Sequence, residues 1–326
     1  MVVGDTVIIP TCTATDDIDP SPECGYTGSF DNTVVGSYTI TFVATDETGN
    51  QATQQVTYTI TEEPVLDPNI PAGYYNQAEG KSGSDLFTAL ETIIFGHSVY
   101  TYSNTSDLLS NIDADLNDPS KVYTIYDGSA VNGTWDSGAT WNKEHVWPQS
   151  SYDKASPMVS DMHQLRAAIP GINSSRSNRY YNYTSDTSGL YDQEGDTFYP
   201  GDDHRGDVAR ILLYMATRYY SEGLRLTKDD FGTTVKDARE IGDIDQLLAW
   251  HNLDPVDAFE IQRNNRIYSY QDNRNPYIDR PEFFEPVYQY LLGLAENTPL
   301  STFDDTLTEY QSLQVLYVPT YQQYEL

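Results

Sequence analysis

The chain has 326 residues, with 18 Lys and Arg against 49 Asp and Glu, and its formal net charge is −31. This length predicts two domains and is enough to bury a substantial core. No run of about eighteen apolar residues is present, which excludes a membrane-spanning helix. No basic stretch followed by an apolar one stands at the start, so we expect any export signal to have been removed or to lie outside this sequence. The acidic balance also excludes capture of a polyanion by overall charge.

Two cysteines, Cys12 and Cys24, lie near the N-terminus, and the chain has no others. They form either one disulfide or none. In an exported protein we favour the bridge, which would stabilise a small domain by about 3 kcal/mol.

Alternating apolar residues predict a β-hairpin after the cysteines, with strands over residues 38–44 and 56–60 and a turn over 46–50. The segment 35–50 resembles the Ig-like modules appended to bacterial surface and secreted enzymes. The resemblance implies an all-β Ig-like sandwich over residues 1–62. Such a module has no chemistry of its own, and its expected partner is a cell-surface component or another module.

Residues 63–71 contain three prolines and predict a semi-stiff linker. After the linker, apolar residues at helical spacing predict a helix from Ser84 to Ile94. Ser84 or Asp85 is expected to cap this helix, and Gly96 to end it.

The centre of the chain holds the candidate site. The run WNKEHVWPQS over residues 141–150 places Glu144 beside His145, and the later run GINSSRSN contains Asn173. We predict a short strand leading into Glu144 and His145, a second strand around residues 162–168, and a helix or turn from Asn173. A hairpin followed by a helix can fix three side chains around one point.

These three residue types suit one hard divalent cation and one activated water. Magnesium prefers oxygen ligands and is usually held by one or two protein groups, so the carboxylate of Glu144 and the amide oxygen of Asn173 would suffice. A neutral imidazole next to such a cation can take a proton from water, which makes His145 a candidate general base. Together these groups predict hydrolysis of a phosphodiester.

Basic residues are concentrated around this site, because sixteen of the eighteen fall between Lys143 and Arg280. The same segment has 22 acidic residues, so local grouping has to supply contacts to a polyanion. We expect Arg166, Arg176 and Arg179 to line one face of a groove.

Beyond residue 200 the sequence predicts mostly helices. The acidic cluster at residues 202–207 fits a helix start better than a metal site, with Asp207 capping or opening the helix. Its expected apolar face consists of Val208, Ile211, Leu212, Met215 and Tyr219. Further helical faces are predicted at residues 247–250 and 283–294, and residues 299–326 are expected to form a tail or the start of a further segment.

Five separated motifs together resemble the bacterial endonuclease I family of periplasmic and secreted nonspecific nucleases. They are residues 141–150, 161–178, 206–219, 250–251 and 271–279. The resemblance covers roughly residues 71–298. It implies an α+β, mostly helical catalytic domain over residues 72–298 with a ββα-metal (His-Me finger) site.

The resemblance also implies roles for single residues. It points to His145 as the general base and to Glu144 and Asn173 as ligands of one Mg²⁺, with Mn²⁺ or Ca²⁺ as substitutes. Arg176 and Arg179 are its candidates for an arginine that assists at the scissile phosphate.

The expected function is therefore a secreted, sequence-nonspecific endonuclease that cleaves DNA, with RNA left open, and leaves 5′-phosphate ends. We expect a monomer that is released or displayed on the cell surface. The alternative is a noncatalytic extracellular binding protein with an inert nuclease-like domain.

Histidines without such a context are more often structural than catalytic. We expect His97, His204 and His251 to be structural. His163 is expected to serve as a structural or supporting residue, with its ring donating to a backbone carbonyl.

Overall fold

A computed structural model describes residues 9, 12–16, 18–60, 67–226, 239–241, 246–293 and 314–316. The chain divides into two compact units, Met1–Val65 with Leu300–Leu326, and Leu66–Pro299. The predicted linker lies outside the described residues up to position 66, and the predicted tail is described only at residues 314–316.

The N-terminal unit is built from antiparallel strands. They are β1 (Thr13–Thr15), β2 (Glu23–Thr27), β3 (Gly36–Thr45), β4 (Gln51–Ile60) and a distant strand, Gln314–Leu316. The order β2-β3-β4 forms one sheet, and β1 pairs with the distant strand. The predicted hairpin is confirmed, because β3 and β4 pair along their full length with Gly36 opposite Ile60. An Ig-like sandwich of two packed sheets stays a prediction.

The predicted disulfide is confirmed as Cys12–Cys24. Cys24 lies on β2, opposite Ala44 of β3, so the bridge ties the segment before β1 to the edge of the three-stranded sheet.

The second unit is mainly helical. Its helices are α1 (Gly83–Phe95), α2 (Thr105–Ile112), α3 (Pro170–Arg176), α4 (Arg205–Arg218), α5 (Gln246–Leu253), α6 (Ala258–Gln271), α7 (Pro276–Asp279) and α8 (Phe284–Leu291). Its strands are β5 (Lys121–Tyr123), β6 (Ala130–Asn132), β7 (Asn142–His145), β8 (Leu165–Ala168), β9 (Tyr180–Tyr181), β10 (Asp192–Glu194), β11 (Thr197–Tyr199), β12 (Arg225–Leu226) and β13 (Glu240–Ile241). A β-rich N-terminal region is thus followed by a largely helical one.

Helix α4 runs through the core of this unit. The five residues of the expected apolar face are buried, and so is every residue from Gly206 to Arg218, so the helix is enclosed on all sides. The helix begins at Arg205, so Asp207 lies in the first turn. Its carboxylate pairs with Arg166 at 3.0 Å and does not cap the helix end, because a buried carboxylate needs a buried partner.

Helix α1 confirms the predicted element and its end at Gly96, but it begins one residue earlier than predicted. The capping position therefore falls on Ser82, and Asp85 lies in the first turn, where unpaired backbone N–H groups favour an acidic side chain. Within the described ranges, no helix is long and apolar enough to cross a bilayer.

Candidate active site

A two-stranded hairpin positions the candidate residues. Strands β7 and β8 pair antiparallel, with Glu144 opposite Arg166 and His145 opposite Leu165. Trp141, Leu165 and Ala167 pack in a small buried cluster that anchors both strands. Because the backbone and the apolar side chains are both fixed, Glu144 and His145 are held at the end of β7, and helix α3 follows β8 directly. The two predicted strands are confirmed, and the predicted helix begins at Pro170, three residues before Asn173.

The three predicted residues share one cleft. It has a volume of about 810 Å³, and Glu144, His145 and Asn173 all line it. A smaller depression of about 290 Å³ lies in the N-terminal unit and has none of the predicted site residues in its wall. The sequence therefore located the residues that meet at the larger cleft.

His145 lines the cleft although only 4% of the residue is exposed. Its ring Nε2 lies 3.0 Å from the carbonyl oxygen of Val159. A carbonyl can only accept, so Nε2 carries the proton and Nδ1 keeps a lone pair. No described residue hydrogen-bonds to Nδ1. Burial lowers the pKa of His145 to about 4, although the hydrogen bond to Val159 opposes the shift, so the ring is neutral at pH 7.

Glu144 is also buried and is held through one of its two oxygens. The hydroxyl of Tyr126 donates to Oε1 at 2.8 Å, and Nε of Arg176 lies 3.4 Å from the same oxygen. Both of these side-chain contacts are made to Oε1, and neither is made to Oε2. Burial raises the pKa of Glu144 to about 7, against the opposing effects of Arg176 and Tyr126. The side chain is thus ready to exchange its proton for a cation.

Asn173, on α3, is fixed through its amide nitrogen. Nδ2 donates to Oδ1 of Asn142 at 2.7 Å and to the carbonyl of Lys143 at 3.3 Å. The nitrogen therefore faces β7, and the amide oxygen is left for another partner. One carboxylate oxygen and one amide oxygen suit a hard cation such as Mg²⁺. No group of three or more His, Cys, Asp or Glu side chains able to hold a metal occurs in the described part of the chain, so a cation here would complete its shell with water or substrate oxygens.

The arginines do not form the expected groove. Arg166 is buried between Asp113 and Asp207, and Arg176 is fully buried behind Glu144. The expectation is therefore wrong for both residues, because each guanidinium is used to neutralise a buried carboxylate. The half-buried Arg179 donates to the carbonyl of Gly195 at 2.8 Å and to that of Ser175, and it does not line the cleft.

Sequence reasoning missed several residues of the cleft wall. Lys143 places Nζ 3.6 Å from the centre of the Tyr102 ring and 5.6 Å from that of Trp135. The same nitrogen donates to the carbonyl of Tyr102 at 2.7 Å, so this cation is already engaged. Lys154 is exposed and also lines the cleft. Lys154 could have been found from the sequence, because it lies only ten residues after Glu144. Tyr102 and Trp135 could not, because they belong to none of the motifs.

The other histidines have structural contacts, as expected. His163 is buried, with Nε2 3.3 Å from the carbonyl of Asn273. His204 lies 3.5 Å from Asp207, His97 meets Arg218, and the ring of His251 is stacked on a phenylalanine. None of these four residues lines the cleft.

A hairpin and a helix that bring an acid, a neutral imidazole and an amide to one cleft define a site suited to metal-assisted hydrolysis. Residues 82–282 match the model of the family described as Endonuclease I. The chain belongs to this family, and it is a nuclease, an enzyme that hydrolyses phosphodiester bonds.

Individual relatives agree with the family match. An extracellular ribonuclease of Bacillus amyloliquefaciens is 37% identical over 240 residues, which is 70% of this chain and 82% of the relative. An extracellular ribonuclease of Bacillus subtilis (strain 168) is 37% identical over 66% of this chain and 78% of its own length. An extracellular deoxyribonuclease of Aeromonas hydrophila is 32% identical over 39% of this chain and 52% of its own length.

Proposed function

We propose that this chain is an exported, sequence-nonspecific endonuclease that uses one divalent cation and a histidine base and leaves 5′-phosphate ends. The observation that supports this most directly is the orientation of His145. Its Nε2 is bound to Val159, and its Nδ1 lone pair is left for a water at the cleft that Glu144 and Asn173 also line.

Glu144 and Asn173 are the proposed ligands of the cation, which we take to be Mg²⁺, with Mn²⁺ or Ca²⁺ as substitutes. When bound, such an ion would offset charge that develops on the phosphate and on the departing 3′ oxygen. Glu144 offers Oε2, and Asn173 offers its amide oxygen. Both side chains are held from behind by hydrogen bonds, so little reorganisation is needed on binding.

His145 is the proposed general base. Its neutral ring accepts a proton at Nδ1 from the attacking water, while the Val159 carbonyl keeps the other nitrogen protonated and the ring in place. The water oxygen then bonds to phosphorus, and the bond to the 3′ oxygen breaks. Water attack with loss of the 3′ oxygen leaves the phosphate on the 5′ end.

Arg176 and Arg179 were both candidates to assist. We propose that Arg176 acts by holding Glu144, because its guanidinium contacts this carboxylate and is shielded from the cleft. Arg179 remains the candidate for a contact with the substrate. Lys154, which is exposed on the cleft wall, is a further candidate for a contact with a phosphate.

The substrate was expected to be DNA, with RNA left open. RNA is the second candidate, and one observation favours it. Two relatives named extracellular ribonuclease match 70% and 66% of this chain, whereas two named extracellular deoxyribonuclease each match 39%. Rates on DNA and RNA strands of the same sequence and length, measured with one preparation, distinguish the two.

Export is supported by two independent observations. The relatives are named extracellular or periplasmic, and the N-terminal unit contains a disulfide, which persists in oxidising compartments.

The proposed rival, a noncatalytic binding protein, is disfavoured because Glu144, His145 and Asn173 are all present and line the same cleft. DNA binding without cleavage under every divalent ion tried would support the rival.

A plasmid-nicking assay with and without a chelator tests the proposal. We expect wild type to nick with Mg²⁺ and to stop with the chelator, and His145→Ala to lose activity by about 100-fold or more while keeping its fold. His97→Ala, at a histidine outside the cleft, is the matched control and should cut normally. If His145→Ala cuts as fast as wild type, the general-base assignment is wrong.

A further inference from the structure

Two buried tyrosines from separate parts of the chain meet behind Glu144. Tyr126 lies in the turn between β5 and β6, and Tyr181 ends β9. Their hydroxyl oxygens are 2.6 Å apart, and that of Tyr126 is 2.8 Å from Oε1 of Glu144. Neither tyrosine belongs to the groups assigned to the reaction above.

The direction of these hydrogen bonds follows from donor count. When Glu144 holds a cation it is an ionised carboxylate that only accepts, so Tyr126 donates its single proton to Oε1. The oxygen of Tyr126 then accepts from Tyr181. The result is a directed chain, from Tyr181 to Tyr126 to Oε1 of Glu144, inside a site closed to solvent, where hydrogen bonds are stronger than in water.

The turn that carries Tyr126 is built for this placement. Tyr126 has φ 82°, in the left-handed region that non-glycine residues adopt at a cost in free energy. The preceding residue, Ile125, donates its backbone N–H to the carbonyl of Ala167 at 2.9 Å. Because Ala167 lies on β8, the turn is tied to the same hairpin that carries Glu144.

Arg176 completes the enclosure of one carboxylate oxygen. Its Nε lies 3.4 Å from Oε1 of Glu144, and its guanidinium carbon lies 4.5 Å from the centre of the Tyr181 ring. Tyr126 and Arg176 thus contact Oε1 from two sides, and neither of these contacts uses Oε2.

We propose that Tyr126 and Tyr181 are positioning residues that fix the rotation of the Glu144 carboxylate so that Oε2 is presented to the cation. This inference rests on the proposed function, in which Glu144 binds the metal. The tyrosines touch neither substrate nor cation. They act through Glu144, and their loss is expected to weaken cation binding much more than it slows cleavage at saturating cation.

Phenylalanine variants test this, because they remove only the hydroxyl. Mg²⁺ binding to the full chain without nucleic acid is measured by titration calorimetry, and cleavage rate is followed against Mg²⁺ concentration. We expect Tyr126→Phe to weaken Mg²⁺ binding by about 10- to 100-fold and Tyr181→Phe by a smaller factor, with the maximal rate within about twofold of wild type.

Tyr75→Phe is the matched control. Tyr75 is as buried as Tyr126, and its hydroxyl also donates to a carboxylate, that of Asp279, at 2.7 Å, but Asp279 does not line the cleft, whereas Glu144 does. This variant should lose stability and keep wild-type Mg²⁺ binding. If Tyr75→Phe weakens Mg²⁺ binding as much as Tyr126→Phe does, the effect is general loosening of the fold and the inference is overturned.

Other outcomes are equally decisive. A folded Tyr126→Phe that binds Mg²⁺ like wild type overturns the positioning role, and if that variant does not fold, Tyr181→Phe decides in the same way. Failure of the proposed function looks different, because wild type itself would then bind no Mg²⁺ or would cut in chelator.

Discussion

The imidazole Nε2 of His145 donates to the carbonyl oxygen of Val159 at 3.0 Å, and this one contact fixes which ring nitrogen is free to act. A base that works through Nδ1 is replaceable by a small molecule of the same chemistry if space is left. We expect added imidazole to raise the cleavage rate of His145→Ala by about 10-fold or more over its rate without imidazole. The cleft of about 810 Å³ has room for the molecule.

That rescue is measured as plasmid nicking against imidazole concentration, at constant pH and ionic strength. Glu144→Ala, which lacks a metal ligand and keeps the base, is the control and should gain nothing. An equal gain in both variants would mean that imidazole acts in solution and not in place of His145.

Replacing the two candidate arginines should separate their roles. Arg176→Ala removes the buried partner of Glu144, and we expect a loss of about 3–5 kcal/mol in the free energy of unfolding together with weaker Mg²⁺ binding. The side chain of Arg179 is only half buried and donates to two backbone carbonyls, so Arg179→Ala should lower the free energy of unfolding much less. Chemical denaturation and Mg²⁺ titration measure both effects. Slow cleavage by Arg179→Ala with normal stability and Mg²⁺ binding would identify Arg179 as the assisting residue.

Trp135 is expected to favour binding of single-stranded substrate, because unpaired bases can stack on its ring. The half-buried ring lines the cleft and packs edge-on against Trp141, with centroids 4.8 Å apart, so it offers a fixed aromatic surface. Stacking of a base on such a ring contributes about 1–3 kcal/mol. Trp135→Ala should therefore raise KM for single strands by about 10-fold and affect a duplex of the same sequence less, while Trp135→Phe keeps most of the preference. Equal effects on both substrates would rule out stacking.

Lys154 should contribute one phosphate contact. It is exposed on the cleft wall, and each neutralised phosphate releases counterions, so Lys154→Gln is expected to reduce the slope of log affinity against log salt by about 0.7–0.9. Lys121→Gln is the control, since Lys121 pairs with Asp118 at 3.4 Å outside the cleft. Binding of each variant to a labelled strand, measured in chelator so that the strand stays uncut, gives the slopes. Unchanged slopes for both variants would place Lys154 outside the phosphate path.

His251 should make stability depend on pH. Burial lowers its pKa to about 3, and Arg210, 3.4 Å from Nδ1, adds to the shift. The unfolded ring titrates near 6.5, so its contribution is fully present above that pH and is lost as pH falls toward 3, by up to about 1.4 kcal/mol per pH unit. The difference in free energy of unfolding between wild type and His251→Gln, measured in urea, should therefore shrink as the pH is lowered from 6.5 to 4.5. A constant difference would contradict the shift.

The sequence predicted the β7–β8 hairpin well because the residues that determine it are contiguous. Glu144 and His145 are neighbours, the strand carrying them is short and flanked by buried tryptophans, and Asn173 follows within one further strand and turn. Local pattern is enough to place such residues. The roles of these three residues, the monomeric state and the binding partner of the N-terminal unit stay predictions.

What the sequence could not predict depends on distant contacts. Tyr126 and Tyr181 are 55 positions apart and meet only because the β5–β6 turn and strand β9 pack together behind Glu144. Arg166 and Arg176 looked like cleft cations because charge alone does not tell whether a guanidinium faces solvent or a buried carboxylate. The pairing of β1 with Gln314–Leu316 likewise joins segments about 300 residues apart, beyond any local pattern.

The balance of buried charges affects how the protein associates with a polyanionic strand. Six arginines and seven Asp or Glu side chains are buried among the described residues, so burial in this part of the chain removes nearly equal numbers of positive and negative charges and offsets little of the net charge of −31. Sliding along a polyanion requires diffuse attraction of opposite sign, which this exterior does not provide. Because like charges repel, we expect a polyanionic strand to leave after each cut, as it does from a distributive enzyme that makes one incision per encounter.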